Sequence, residues 1–329
     1  MTLGVPVPTM NITAGTASTA NLNDGTTNNV IYSSTVNVGV TNAILNSATF
    51  TTAGTYTASD LTNIKLWYSS LASFNSASST LLGTLTTGLG AGAQSFNSLS
   101  QSMAVGNAYL YLTVDVPCGA TLSSTISVNA IDSSNLTFAS GTPSGSGSIG
   151  GVQTITASNP SDASAINATA TGTSGQASVA FTLPSGCYDE VMIVVAPASN
   201  TGSPSGNGSA YTANATYSNG TALGNGYVIY KGTTSPQLVN GLTNGSTYYV
   251  KLFTRRGTTW SAGTTDVTVT PIATPAVNEV IFPQYAVNGA TSGSRLQYVC
   301  RLQLINLTPN ATYRYVTGAS LANNFSSSV

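Results

Sequence analysis

Alternation with a period of two runs through this chain, and no segment holds a helical period of 3.6 between caps. In residues 109–116, Leu110, Leu112, Val114 and Val116 share one face, and Tyr109, Tyr111, Thr113 and Asp115 share the other. That is the pattern of a strand with one side in a core. Residues 121–130 repeat it with Leu122, Ile126 and Val128 inward, and residues 177–183 with Val179, Phe181 and Leu183. Residues 191–195 are apolar throughout, as a central strand covered on both faces requires. Short runs of this kind, separated by Gly, Asn, Ser and Pro, predict an all-β chain of tandem antiparallel β-sandwiches.

Charge is scarce. Of 329 residues only eight are Lys or Arg and nine Asp or Glu, and there is no histidine. The lack of imidazole removes the commonest general base, the Ser-His-Asp and Cys-His arrangements, and every His-ligated metal site. A formal net charge of -1 offers no footprint for nucleic acid or for an anionic membrane. Every apolar run is short and broken by polar residues, so no membrane insertion is expected, and the first ten residues lack the basic and apolar regions of a secretory signal. With 41% hydrophobic residues the chain has ample core material, and its neutral hydroxyl- and amide-rich remainder suits an extracellular or cell-surface setting.

Composition marks two boundaries. A Gly/Ser stretch at residues 140–151 and a Pro-punctuated stretch at residues 268–277 divide the chain into modules 1–151, 152–272 and 273–329. Lys65 is the sole base of the first, whereas Arg295, Arg301 and Arg314 face only Glu279 in the last. The last module is short for a complete sandwich, which predicts either a segment of a longer polypeptide or completion by a strand from a neighbouring chain. A short repeat supports serial sandwiches: Leu242 and Leu307 each precede a tyrosine, Tyr248 and Tyr313, by six residues across a turn. In immunoglobulin-like sandwiches this is the tyrosine corner, a structural role for both rings.

Candidate chemistry is sparse. Gly145, Gly147 and Gly150 match the dinucleotide fingerprint formally, but no strand-to-helix context surrounds them and no cofactor is expected. Asn21, Asn23 and Asp24 offer oxygen ligands for calcium with a single carboxylate, and a turn with a glycine at positive φ explains the same residues. Asp189 and Glu190 are adjacent, so in a strand they point to opposite faces and cannot flank one glycosidic bond. Trp67, Tyr109, Tyr111 and Trp260 are the candidate contacts for a glycan or a partner chain, the alternative being packing within or between modules. Cys118, Cys187 and Cys300 match no zinc or redox spacing; they read either as small buried hydrophobes or as one disulfide between modules or between chains with one cysteine left over. Ten Asn-x-Ser/Thr positions follow largely from composition, and glycosylation on Ser or Thr fits the same surface.

Three resemblances cover most of the chain. Residues 159–271, through Val179 to Pro184, Gly226 to Gly232, Gly241 to Phe253 and Trp260, resemble a fibronectin type III domain of bacterial secreted proteins, which implies an immunoglobulin/fibronectin III-like sandwich. The first module, through Ala48 to Thr55, Ser59 to Tyr68 and Tyr109 to Val116, resembles the non-catalytic N-terminal β-domain of bacterial sialidase-like surface proteins. The last, from Glu279 to Tyr315, is similar to modules of large proteins exported by the type IX system of gliding-type bacteria. These motifs imply fold and export context and carry over no catalytic residue.

The reading that follows is a non-catalytic structural or adhesive component of an extracellular filament or cell-surface appendage, partnered by copies of itself or adjoining modules. Alternatives are a glycan-binding accessory region of a secreted carbohydrate-active enzyme and a viral fibre or capsid protein. No base lies between Lys65 and Lys231, so edge strands in that span lack the usual lysine guard and are expected to be covered by a neighbouring chain, a glycan or module packing.

Overall fold

The computed structural model describes residues 5–14, 19–274, 276–283 and 298–305, and the fold is all-β. In the first module one sheet has the order β12-β1-β3-β9-β5-β6, built from β1 (Thr9–Ala14), β3 (Thr26–Gly39), β5 (Asn63–Ser69), β6 (Thr80–Leu85), β9 (Gly106–Val116) and β12 (Pro143–Gly145). The facing sheet has the order β11-β4-β10-β13-β2, from β2 (Ala20–Asn23), β4 (Ala43–Gly54), β10 (Thr125–Val128), β11 (Leu136–Phe138) and β13 (Gln153–Thr156). Two further strands, β7 (Gly92–Phe96) and β8 (Gln101–Met103), pair with β4.

Alternation produces this layering. Ile64 and Leu66 of β5, Leu110, Leu112 and Val114 of β9 and Val36 and Val38 of β3 are all buried in a single core against Leu45, Ala48 and Phe50 of β4. Phe50 sits at its centre, edge-on to Tyr32 at 6.1 Å and to Phe96 at 6.5 Å between ring centroids. Tyr32 is fully buried, so its hydroxyl must find a partner, and it donates to the Ser148 carbonyl at 2.7 Å. Asp60, also buried, accepts from the amides of Thr57 and Thr121, each at 2.7 Å, tying the start of β5 to the loop after β9.

Two expectations change here. The Gly/Ser stretch is not a linker. Its Pro143–Gly145 strand pairs in parallel with β1, and β13 beyond it pairs with β10 and β2, so the expected boundary at Gly151 falls inside the first module. The glycines answer to packing: a Cβ on Gly145 (φ +81°) would meet the Ile12 carbonyl oxygen at 2.3 Å, and one on Gly147 the Tyr32 hydroxyl at 2.8 Å. Nor is β9 half-exposed; residues 110–116 are buried on both faces because residues 70–79 lay Phe74 over the outer face.

The second module sets a three-stranded sheet, β14-β15-β19, against one of order β17-β18-β16-β20. The strands are β14 (Ser164–Ala170), β15 (Ala177–Thr182), β16 (Glu190–Ala196), β17 (Ala222–Leu223), β18 (Gly226–Gly232), β19 (Gln237–Val239) and β20 (Tyr248–Arg256). Two short strands, β21 (Thr259–Trp260) and β22 (Val267–Val269), pair with β20. As the unbroken apolar run demands, β16 is covered on both faces: Val191, Ile193 and Val195 enter the sandwich core, while Met192 and Val194 join Val228 and Phe253 beneath residues 199–221. Residues 214–217 also guard the free side of β19, where Asn240 donates its amide to the Ala215 carbonyl. Beyond the second module, β23 (Ala276–Pro283) and β24 (Tyr298–Ile305) form an antiparallel pair.

The Phe50→Ala variant is expected to lose about 3–5 kcal/mol of stability, the range for emptying a buried aromatic site, as measured by urea unfolding followed through tyrosine and tryptophan fluorescence.

Candidate functional site at the seam between two modules

Three turns of the first module meet two of the second. On one side lie the β2–β3 turn with Asp24 and Gly25, the segment after β9 with Cys118 and Ala120, and the segment after β13 with Ala157 and Ser158. On the other lie the loop before β16, with Cys187 and Asp189, and the β20–β21 hairpin, with Arg256 and Gly257. A disulfide joins Cys118 to Cys187 across the seam, with Cα atoms 5.1 Å apart. Gly25 lies directly beneath it: a Cβ there would come within 2.5 Å of the Cys187 sulfur. Gly257, at φ +59°, turns the hairpin so closely against Leu122 that a Cβ would sit 2.7 Å from that side chain. Beside the hairpin tip a groove of about 330 Å³ opens between Leu122, Ile155 and Thr156 on one side and Gly257 and Thr259 on the other.

A line of six charged side chains with alternating sign leads through the second module and ends across the joint: Lys231, Glu190, Arg255, Asp189, Arg256 and Asp24. Lys231 Nζ lies 3.4 Å from Glu190 Oε1, and Arg255 Nε donates to the same oxygen at 2.8 Å. Arg255 Nη1 donates to Asp189 Oδ2 at 2.9 Å, and Arg256 Nη1 to Asp189 Oδ1 at 2.7 Å. Arg256 Nε completes the line on Asp24 Oδ2 at 2.5 Å. The Asp24 side chain is wholly buried, and its other oxygen accepts the Ser158 amide at 2.7 Å. Arg256 therefore bridges one carboxylate from each module, a task its planar fork suits. Burial pushes the Asp189 carboxyl up, but hydrogen bonds from Arg256 and the Gly257 amide, with the charges of Arg256 and Arg255, outweigh it and hold the group below its ordinary value.

The adjacent acids thus converge after all. Asp189 precedes the strand, which begins at Glu190, so strand alternation does not separate them and Arg255 reaches both. Asp24 serves the seam and not an open oxygen cage. Its neighbour Asn23 accepts from Thr156, and among the described residues no group of three or more Cys, Asp or Glu is placed to hold a metal ion.

The aromatic candidates separate. Trp67 and Tyr111 are not exposed: Phe74 packs on both at 5.4 Å, Trp67 Nε1 donates to Thr113, and the Tyr111 hydroxyl donates to the Leu71 carbonyl. Their face of the sheet is closed by a loop whose path the alternation of β5 and β9 does not encode. Tyr109 is half-buried, and Trp260, also half-buried, packs edge-on to Tyr211 and donates to the Gly206 carbonyl at 2.8 Å. Tyr248 enters the core of the second module, and the Thr243 amide donates to its hydroxyl at 3.0 Å, the geometry of a tyrosine corner. Tyr313 lies outside the described residues, as does the side chain of Cys300. Of the two readings of the cysteines, the disulfide between modules is the one formed, by Cys118 and Cys187. Sequence reasoning missed the charged line beside it, of which Arg255 and Arg256, the only adjacent pair of bases, were the visible trace.

No family model matches the chain, and no curated protein matches it. A solved structure of the fourth FNIII domain of a human protein is similar at 17% identity and a TM-score of 0.25, over 41% of this chain and 88% of that one. The FN1-FN3 domains of chicken CNTN1 are similar at 7% identity and a TM-score of 0.26, over 78% of this chain and 69% of that one. The sandwich architecture itself is read from the strand order and the two enclosed cores.

Replacing Arg256 with Met leaves the buried Asp24 carboxylate unpaired and is expected to cost about 3–5 kcal/mol, measured by chemical denaturation. Asp60, Asp115 and Asp189 all have lowered folded values, so their contribution is present above the unfolded Asp value near ~4 and is lost as pH falls through the folded values. Calorimetry from pH 6 to pH 2 is therefore expected to show a melting temperature that is flat at first and falls steeply below about pH 4.

Proposed function

We propose that this protein is a non-catalytic structural or adhesive component of an extracellular filament or cell-surface appendage, in which sandwich modules are locked into stiff tandem units. The observation that carries this reading is the seam: one disulfide and one arginine bridging two carboxylates restrain the same joint. A disulfide forms and persists in oxidising surroundings, which agrees with a place outside the cytosol. Among the described residues no helix is long and apolar enough to cross a membrane. The acids whose side chains are described support the same role, because each accepts a hydrogen bond or ion pair that pins a turn, a strand end or the seam. Export by the type IX route and partnership with further copies are part of this reading.

A stiff joint is mechanically useful because the chain resists bending without a large hydrophobic interface between modules. In the untreated protein, electron microscopy is expected to show a narrow distribution of angles between the two modules and regular polymers at high concentration. The Cys118→Ser/Cys187→Ser variant with Arg256→Gln is expected to broaden that distribution. An unchanged distribution, or a protein that stays monomeric at every concentration, counts against the proposal.

A further inference from the structure

One charged cluster plays no part in the seam. Lys65 on β5, Asp115 on β9 and Asn28 on β3 meet on the outer face of the first module's sheet, where β9 lies between the other two strands. Lys65 Nζ is 2.6 Å from Asp115 Oδ2 and donates to Asn28 Oδ1 at 2.9 Å. One C=O bond of ~1.23 Å separates that oxygen from Asn28 Cγ, so the lysine nitrogen lies within about 4.1 Å of an amide carbon. The placement comes from the backbone. The β3–β9 register shifts between Thr26 and Asn29, and Asn28 at φ +57° turns its amide onto Asp115 Oδ1 at 2.7 Å while its carboxamide faces Lys65. Asn63, directly opposite Asp115, donates to Oδ2 at 2.7 Å. Asp115 is only 4% exposed, and the Trp67–Phe74–Tyr111 cluster closes the sheet face alongside.

We propose that this cluster is a self-modification site, in which Lys65 attacks the Asn28 carboxamide with Asp115 as the catalytic acid and base, forming an amide bond between β3 and β5. The Lys65 ammonium passes a proton to the Asp115 carboxylate, and the freed Nζ lone pair forms a bond to Asn28 Cγ. The Cγ–Nδ2 bond breaks as Asp115 returns its proton to the departing nitrogen. Nζ gives up its second proton to Asp115, and that proton leaves with ammonia or remains to be lost to water. One ammonia is released and neither oxidant nor cofactor is consumed. Proximity replaces activation: the two groups are held by three paired strands, an arrangement that makes a slow amine–amide exchange effectively unimolecular. Burial raises the Asp115 carboxyl, but hydrogen bonds from Lys65, the Asn28 amide and Asn63 outweigh it and hold the group below its ordinary value, so Asp115 rests as the carboxylate that accepts the first proton, and the reaction is a single slow turnover. The product ties together two strands that are not neighbours in the sheet, a covalent brace within one module that complements the disulfide between modules.

The test is the mass and tryptic map of the full reduced chain. Cross-linking removes one ammonia, so the intact mass is expected to fall about 17 Da below that of the sequence. Trypsin cannot cut after an acylated lysine, and no base lies between Lys65 and Lys231, so residues 1–231 are expected to remain in one fragment. Lys65→Arg keeps the charge beside Asp115 but cannot be acylated, and its mass is expected to match its sequence. Asp115→Ala, checked for folding by its melting curve, is expected to retain its ammonia. An unmodified wild-type mass with cleavage at Lys65 overturns the proposal. So does a loss of about 17 Da with Lys65 still cleaved, since that reports an internal succinimide. Ammonia loss persisting in folded Asp115→Ala overturns the role given to Asp115.

Discussion

Arg256 between Asp24 and Asp189 is the contact on which the arrangement of the two sandwiches depends. Alone, the Asp24 carboxylate in a dry seam would be costly, since a buried charge without a partner forfeits its hydration. Paired with a guanidinium and a backbone amide it becomes an address, because only one placement of the second module supplies the fork. The same cost explains the line of alternating sign. Each charge from Lys231 to Asp24 has a counter-charge within 4.0 Å, so the series carries no net charge through the interface.

Scarcity of charge makes this joint specific. On a surface of Ser, Thr, Asn and Gly, most contacts between modules are interchangeable and set neither register nor angle. Here three of the five bases with described side chains belong to one line that ends at the seam, where Arg256 alone crosses to the first module, and a fourth, Lys65, is held by Asp115. Glycine supplies the remaining requirement. Gly25 beneath the disulfide and Gly257 at the hairpin tip leave room for the Cys187 sulfur and the Leu122 side chain, which a Cβ at either position would meet at 2.5 Å and 2.7 Å.

Much of the fold was legible in the chain because strand periodicity is a local property. The residues of β9 that alternate, the unbroken apolar run of β16 and the tyrosine that opens β20 all sit where pattern places them. What escaped depends on segments far apart in sequence. Alternation shows that Trp67 and Tyr111 leave the main core, but not that Phe74 returns to cover them. A glycine-rich run reads as a linker until its neighbours are known; Tyr32 and β1 turn residues 143–150 into a packed part of the sandwich. Three cysteines permit several pairings, and the one observed joins residues 69 apart.

By itself the sequence determined an all-β chain of serial sandwiches with few means of moving protons. Hydrophobic alternation, turn residues and the absence of imidazole act residue by residue and need no partner in space. Only the tertiary structure decided where the few charges meet: Arg256 with two carboxylates from separate modules, Arg255 with two adjacent acids, and Lys65 with Asp115 and Asn28. Electrostatic and covalent partnership is a matter of distances of a few ångströms between strands that chain order places far apart, and those distances exist only once both cores have closed.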